Sequence, residues 1–80
     1  MRFRVGDDEL EVAFTVALEL AERAAQAPEE DARTAARRIR AVGASRPIRL
    51  SLEELAALAR VLDSWGFDAS TVRWLRERLP

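Results

Sequence analysis

Three groups of carboxylates stand out along the 80 residues: Asp7-Asp8-Glu9 with Glu11, Glu29-Glu30-Asp31, and Glu53-Glu54. Two carboxylates held close together split their pKa values and can act as acid and base in one reaction. The same groups fit a plainer role, because acids in the first turn of a helix meet the positive end of its macrodipole. Each group directly precedes a helix-patterned segment, which favours the plainer role. None has the spacing of a calcium loop.

The chain has no cysteine, histidine, lysine, asparagine or tyrosine. That excludes disulfides, thiolate and imidazole metal sites, Ser-His and Cys-His nucleophiles, Schiff-base lysines and P-loops. The expectation is a non-catalytic protein without cofactor or metal. Nothing resembles a signal peptide, and the most apolar stretch, Val12 to Leu18, is too short to span a bilayer. A cytoplasmic protein with no membrane partner is expected.

Thirteen basic and fourteen acidic residues leave a net charge of -1. The charges are nevertheless segregated. Residues 1–31 hold nine acids and three arginines, residues 32–50 hold six arginines and no acid, and residues 51–80 hold five acids and four arginines. In the basic block Arg33, Arg37 and Arg40 share one helical face, with Arg38 to the side and Arg46 and Arg49 following. Such a strip suits an acidic protein partner or a phosphate backbone. Pairing with the acidic first segment is the alternative. Trp74, set off the apolar stripe of its helix beside Arg73 and Arg78, has the composition of an interface anchor. Packing inside the domain is the other use of that ring.

These residues need a scaffold, and the pattern supplies one. Phe3 and Val5 alternate with Arg2 and Arg4 as a short strand. Gly6 ends it, and Asp7-Asp8-Glu9 opens a helix predicted to reach Ala27. Pro28 begins a second helix, which runs to Val42 and stops at Gly43. The loop from Ala44 to Pro47 leads to a second short strand at Ile48-Arg49-Leu50. Ser51 and Glu54 form a capping box for a third helix ending at Gly66. Asp68 or Ser70 caps a fourth, which reaches Leu79.

Aligning residues 3–10 (FRVGDDEL) with 48–55 (IRLSLEEL) sets Arg4 against Arg49, Glu9 against Glu54 and Leu10 against Leu55. The predicted fold is mainly α, α+β at the margin. One compact four-helix domain over residues 1–80 carries a small two-stranded β-ribbon, built as two strand-helix-helix halves.

The apolar positions refine this. In the first helix Leu10, Ala13, Phe14, Ala17, Ala21 and Ala24 form one stripe, and Val12, Val16 and Leu20 a second beside it. The second stripe is either core or a self-association surface. The third helix should bury Leu55, Leu58, Ala59, Leu62 and Trp65 and wet Glu53, Ala57, Arg60 and Ser64. The second should bury Ala32, Ala35, Ala36, Ile39 and Val42, and the fourth Val72, Leu75 and Leu79.

Residues 52–79 resemble the helix-turn-helix unit of bacterial DNA-binding proteins. Gly66 sits in the turn between Trp65 and Phe67, Val72 and Leu75 follow as core, and Ser70-Thr71-Val72-Arg73 is a familiar opening for the second helix. The sequence departs from that family at Leu62, where a small residue is preferred. The resemblance implies Ser70, Thr71, Arg73, Trp74 and Arg78 as contacts to bases or phosphates. Trp65-Gly66-Phe67 before a short helix is also similar to the loop of ubiquitin-associated three-helix domains. The expected function is a protein-interaction or adaptor module, self-associating or binding an acidic partner through Trp74, Arg73, Arg78, Arg33, Arg37 and Arg40. A small DNA-binding regulator is the alternative.

Overall fold

The computed structural model describes residues 1–42, 46–66 and 69–78, with the side chains of residues 69–72 outside that description. In chain order the elements are β1 (Arg2–Val5), β2 (Asp8–Glu11), α1 (Phe14–Ala25), α2 (Glu30–Val42), β3 (Ile48–Arg49), α3 (Leu52–Trp65) and α4 (Ala69–Glu77). The protein is mainly α with a small β part, as the sequence predicts.

The β part is larger than expected. Gly6, at φ 60, turns the chain back at once, so Asp8–Glu11 pairs antiparallel with β1 instead of opening a helix. A two-residue Gly-Asp connection between alternating segments is a hairpin signal, and Glu9-Leu10-Glu11-Val12 continues the period of two. The predicted two-stranded ribbon is therefore a three-stranded sheet in the order β2-β1-β3. Its other junction is parallel, with Phe3 opposite Ile48 and Arg4 opposite Arg49. That is the register of the FRV/IRL alignment.

The first helix consequently starts at Phe14, after Ala13, which makes no side-chain cap. Its predicted stripes shift with it. Ala17, Leu20, Ala21 and Ala24 are buried, whereas Ala13 is exposed and Phe14 is 50% exposed. α2 buries Ala32, Ala35, Ala36 and Ile39, and these small residues allow close approach to α1, its most extensive neighbour. Val42 is half-buried.

α3 keeps its predicted ends. Ser51 Oγ accepts from the Glu54 N–H at 3.1 Å, Glu54 Oε1 accepts from the Ser51 N–H at 2.9 Å, and Gly66 closes the helix at φ 73. Leu55, Leu58, Ala59 and Leu62 are buried as expected. Ala57, expected on the wet side, is buried too, and Trp65 is half-buried against the core. Leu75 carries α4 into that core. Gly43, the Ala44–Ser45 part of the loop, the Asp68 or Ser70 cap, and the Val72 and Leu79 side chains lie outside the described residues.

Candidate functional site

The arginine face predicted on α2 is largely spent inside the molecule. Arg33 turns back and its Nη1 donates to the carbonyls of Ala27 and Pro28, both at 2.7 Å. The end of α1 leaves carbonyls without helical partners, and this guanidinium satisfies the chain just beyond it. Arg37 donates to Thr34 Oγ1 at 3.1 Å. Arg40 is exposed and has no partner among the described residues.

Trp74 and Arg78 also form an intramolecular unit. Trp74 is half-buried against the core, and the Arg78 guanidinium lies over its ring, 3.9 Å from the centroid. Arg78 Nη1 donates to the Trp74 carbonyl at 2.9 Å, and Nε stands 3.3 Å from Asp8 Oδ2, an ion pair outside hydrogen-bond geometry. The pair thus clamps α4 onto the β1–β2 hairpin. Arg76 pairs with Asp63. Among the α4 arginines only Arg73 is left without a partner among the described residues.

The stripe read as core or self-association surface resolves toward core. Val12 is 5% exposed and Leu20 1%, and Val16 is half-buried. Among the described residues the large apolar side chains that do face solvent are Phe14, Leu18 (42%) and Leu52 (46%). Of the carboxylate groups, Glu30-Asp31 and Glu53-Glu54 occupy first helical turns as predicted. Asp8, Glu9 and Glu11 lie instead on a strand. Among the described residues no group of three acids is placed to hold a metal ion.

Where cations do gather, they come from three elements. Alternation along β1 turns Phe3 inward and Arg4 outward, and β3 does the same with Ile48 and Arg49. The parallel register sets the two arginines side by side. Arg38, on the last turns of α2, reaches the same place, and Arg46 approaches along the chain before β3. Together with Val42 and Pro47 these four arginines line an open cleft of about 460 Å³, and no acid lines it among the described residues.

Arg38 is the fixed member. Its Nη1 donates to Glu54 Oε1 and to the Arg49 carbonyl, each at 2.7 Å. Glu54 is 4% exposed, and its Oε1 is already held by the Ser51 N–H. One carboxylate therefore caps α3 and aims a guanidinium on α2, while its Oε2 is buried without a hydrogen-bond partner. Arg4 is held more loosely, by the Gly6 carbonyl at 3.2 Å and Glu9 at 3.9 Å. Arg46 and the Arg49 side chain have no partner among the described residues.

A second cleft, about 380 Å³, is lined by Arg23, Gln26, Ala27, Pro28, Glu29, Arg60, Val61, Ser64 and Trp65. Its charges are already matched. Arg60 grips Glu29 with Nη2–Oε1 at 2.7 Å and Nε–Oε1 at 2.9 Å, a hydrogen-bonded pairing that raises the Arg60 pKa above its ordinary value. Arg23 pairs with Glu19 at 3.3 Å and covers Trp65 at 4.3 Å. Nothing there calls for a further charge.

The first cleft is thus the candidate site. The basic block is visible in the sequence, where Arg33, Arg37 and Arg40 share a helical face, but the cleft takes Arg38, Arg46 and Arg49 from it. Arg4 and Arg49 emerge only from strand pairing, for which the FRV/IRL alignment was the available signal.

Set beside known proteins, the chain matches no family model, no curated protein and no solved structure. The helix-turn-helix and ubiquitin-associated likenesses rest on their few residues alone.

Proposed function

We propose that this protein is a non-catalytic interaction module that binds an acidic region of another protein in the arginine-lined cleft. The observation that carries this reading is the like-charge pair Arg4–Arg49 on adjacent strands, joined by Arg38 and Arg46 with no acid among the described residues lining the cleft. Like charges opposite one another weaken a sheet. A local arrangement that costs stability without structural return is the mark of a site kept for binding. The acid-rich hairpin beside the cleft disfavours a long polyanion, and α4, the DNA-reading helix of the alternative, has most of its cations engaged. DNA binding is therefore the weaker reading.

Titrating a short polyglutamate peptide into the protein, followed by amide and arginine Nε–H NMR shifts, tests this. Binding should appear at low salt, centre on residues 46–49, weaken at physiological salt and vanish in Arg46→Ala/Arg49→Ala. No shift at low salt, or shifts elsewhere on the surface, would remove the reading.

Self-association is a second reading, and Phe14 and Leu18 support it. They lie one turn apart on α1, both exposed. Light scattering on a sizing column at low and high salt decides it. A dimer that persists in high salt and is lost in Phe14→Ser/Leu18→Ser supports it, and a monomer in both buffers removes it.

A further inference from the structure

We propose that the arginine-lined cleft is a phosphoresidue site, which takes a phosphorylated serine or threonine side chain of the partner protein. The inference rests on the reading of this cleft as a protein-binding surface and narrows its ligand. Three observations lead to it.

The first is charge. Four guanidiniums line the cleft, and two carboxylates touch them: Glu54 on Arg38, and Glu9, which Arg4 shares with Arg2. At least two positive charges are left over. The negative end of α2 supplies only about half an elementary charge against them. A single carboxylate leaves one of the two unmatched. A phosphomonoester, at roughly -1.5 to -2 near neutral pH, answers both.

The second is donor geometry. Arg38 is held by Nη1 alone, through two bonds to Glu54 and the Arg49 carbonyl, and this fixes the plane of its guanidinium. Its Nε and Nη2 hydrogens, one edge of the fork, have no partner among the described residues. That edge matches two oxygens of one phosphate, and the pre-set plane lowers the entropy lost on binding. Arg46 and Arg49 remain for the third oxygen.

The third is shape. About 460 Å³ falls within the roughly 300–1,000 Å³ of small-ligand sites and exceeds what one phosphoryl group fills. Val42 and Pro47 give the remainder an apolar wall, suited to the flanking peptide. Glu9 and Glu11 share the outward sheet face with Arg2 and Arg4. A nucleic acid extended across that face would meet both carboxylates, whereas one compact dianion beside Arg38, Arg46 and Arg49 would have only Glu9, already paired with Arg2 and Arg4, at its edge.

The test uses three synthetic peptides of one neutral sequence with serine, glutamate or phosphoserine at the centre, and a short DNA duplex. Each is titrated by calorimetry into the wild type and into Arg46→Gln/Arg49→Gln. The phosphoserine peptide should bind at least tenfold tighter than the glutamate peptide, and the serine peptide should not bind. The double variant should lose at least tenfold with an unchanged melting temperature.

Affinity for phosphoserine should also rise between pH 5 and pH 7, as the phosphomonoester loses its second proton near pH 6. The protein has no histidine, so no side chain of its own ordinarily titrates in that window. The glutamate peptide should show no such rise. Equal binding of the glutamate and phosphoserine peptides, or a flat pH profile, overturns the phosphate inference and leaves the acidic-partner reading standing. Failure of both peptides overturns both. Tighter binding of the duplex, lost in the same double variant, overturns both in favour of nucleic acid.

Discussion

On its inward face the sheet presents Phe3, Val5, Leu10 and Ile48 to the core, while its outward face presents Arg2, Arg4, Arg49, Glu9 and Glu11 to solvent. Both faces arise from the same few residues by alternation, so each strand contributes to both. Of the inward side chains Phe3 and Ile48 are fully buried in the core, and removing either leaves a void, while Val5 and Leu10 pack against it half-buried. Of the outward ones, Arg2 and Arg4 share Glu9 at 3.8–3.9 Å, and Arg49 has no partner among the described residues. One face carries the fold, and the other is the one proposed to bind. Arg38 and Glu54 join them, since the buried carboxylate that caps α3 also aims a cleft arginine.

The sharpest way to break this contrast is Phe3→Ala, which removes a fully buried ring. It should cost about 3–5 kcal/mol in a denaturant titration, enough to unfold a marginal domain of this size. A cost below about 1 kcal/mol would mean the sheet does not anchor the core.

Next comes the joint between the faces. Glu54→Ala strips the reciprocal cap from α3 and frees Arg38. A loss of about 1–3 kcal/mol is expected, together with weaker binding in the cleft. Unchanged stability would show that the buried carboxylate holds nothing together. Asp8→Ala tests the clamp between the hairpin and α4. Its exposed carboxylate makes the pair worth only about 0.2–1 kcal/mol, read as a small fall in melting temperature.

The smallest stability effect belongs to the outward face and is the most telling in direction. Arg49→Glu replaces a like-charge neighbour of Arg4 with an opposite one. Stability should hold or rise by about 0.2–1 kcal/mol while anion binding is lost. A clear loss of stability would make Arg49 a structural residue and dissolve the distinction between the faces.

Much of this architecture was legible in local chemistry. The Ser51–Glu54 box and Gly66 fixed α3, because a cap is a bond between residues three apart. The alanines and Ile39 of α2 fell where a period of 3.6 places them. The first helix begins later than its acidic cluster implies, because Asp7-Asp8-Glu9 suits a helix N-terminus as well as a strand beyond a tight turn. The left-handed Gly6 decided between them.

The candidate site was legible only in part. Arg38, Arg46 and Arg49 belong to a basic block visible in the sequence, but a helical wheel groups Arg33, Arg37 and Arg40 instead. It carries no knowledge of which carbonyls lie within reach of Arg33. For Trp74 the sequence leaves an interface anchor and a packed ring level; its half-buried place against the core and the Arg78–Asp8 pair from the distant hairpin favour packing.

The sequence by itself determined the mainly helical class, the caps of α3, most of the apolar faces of α2 and α3, and the segregation of charge. Each of these follows from residues within a turn or two of one another. Only the tertiary structure decided which arginines are spent and which remain. A guanidinium finds its partner across space: Arg38 meets Glu54 sixteen residues away, and Arg4 meets Arg49 through a strand pairing forty-five residues apart. Charge is a property of composition, but whether a charge is satisfied depends on what the fold brings within hydrogen-bond distance of it.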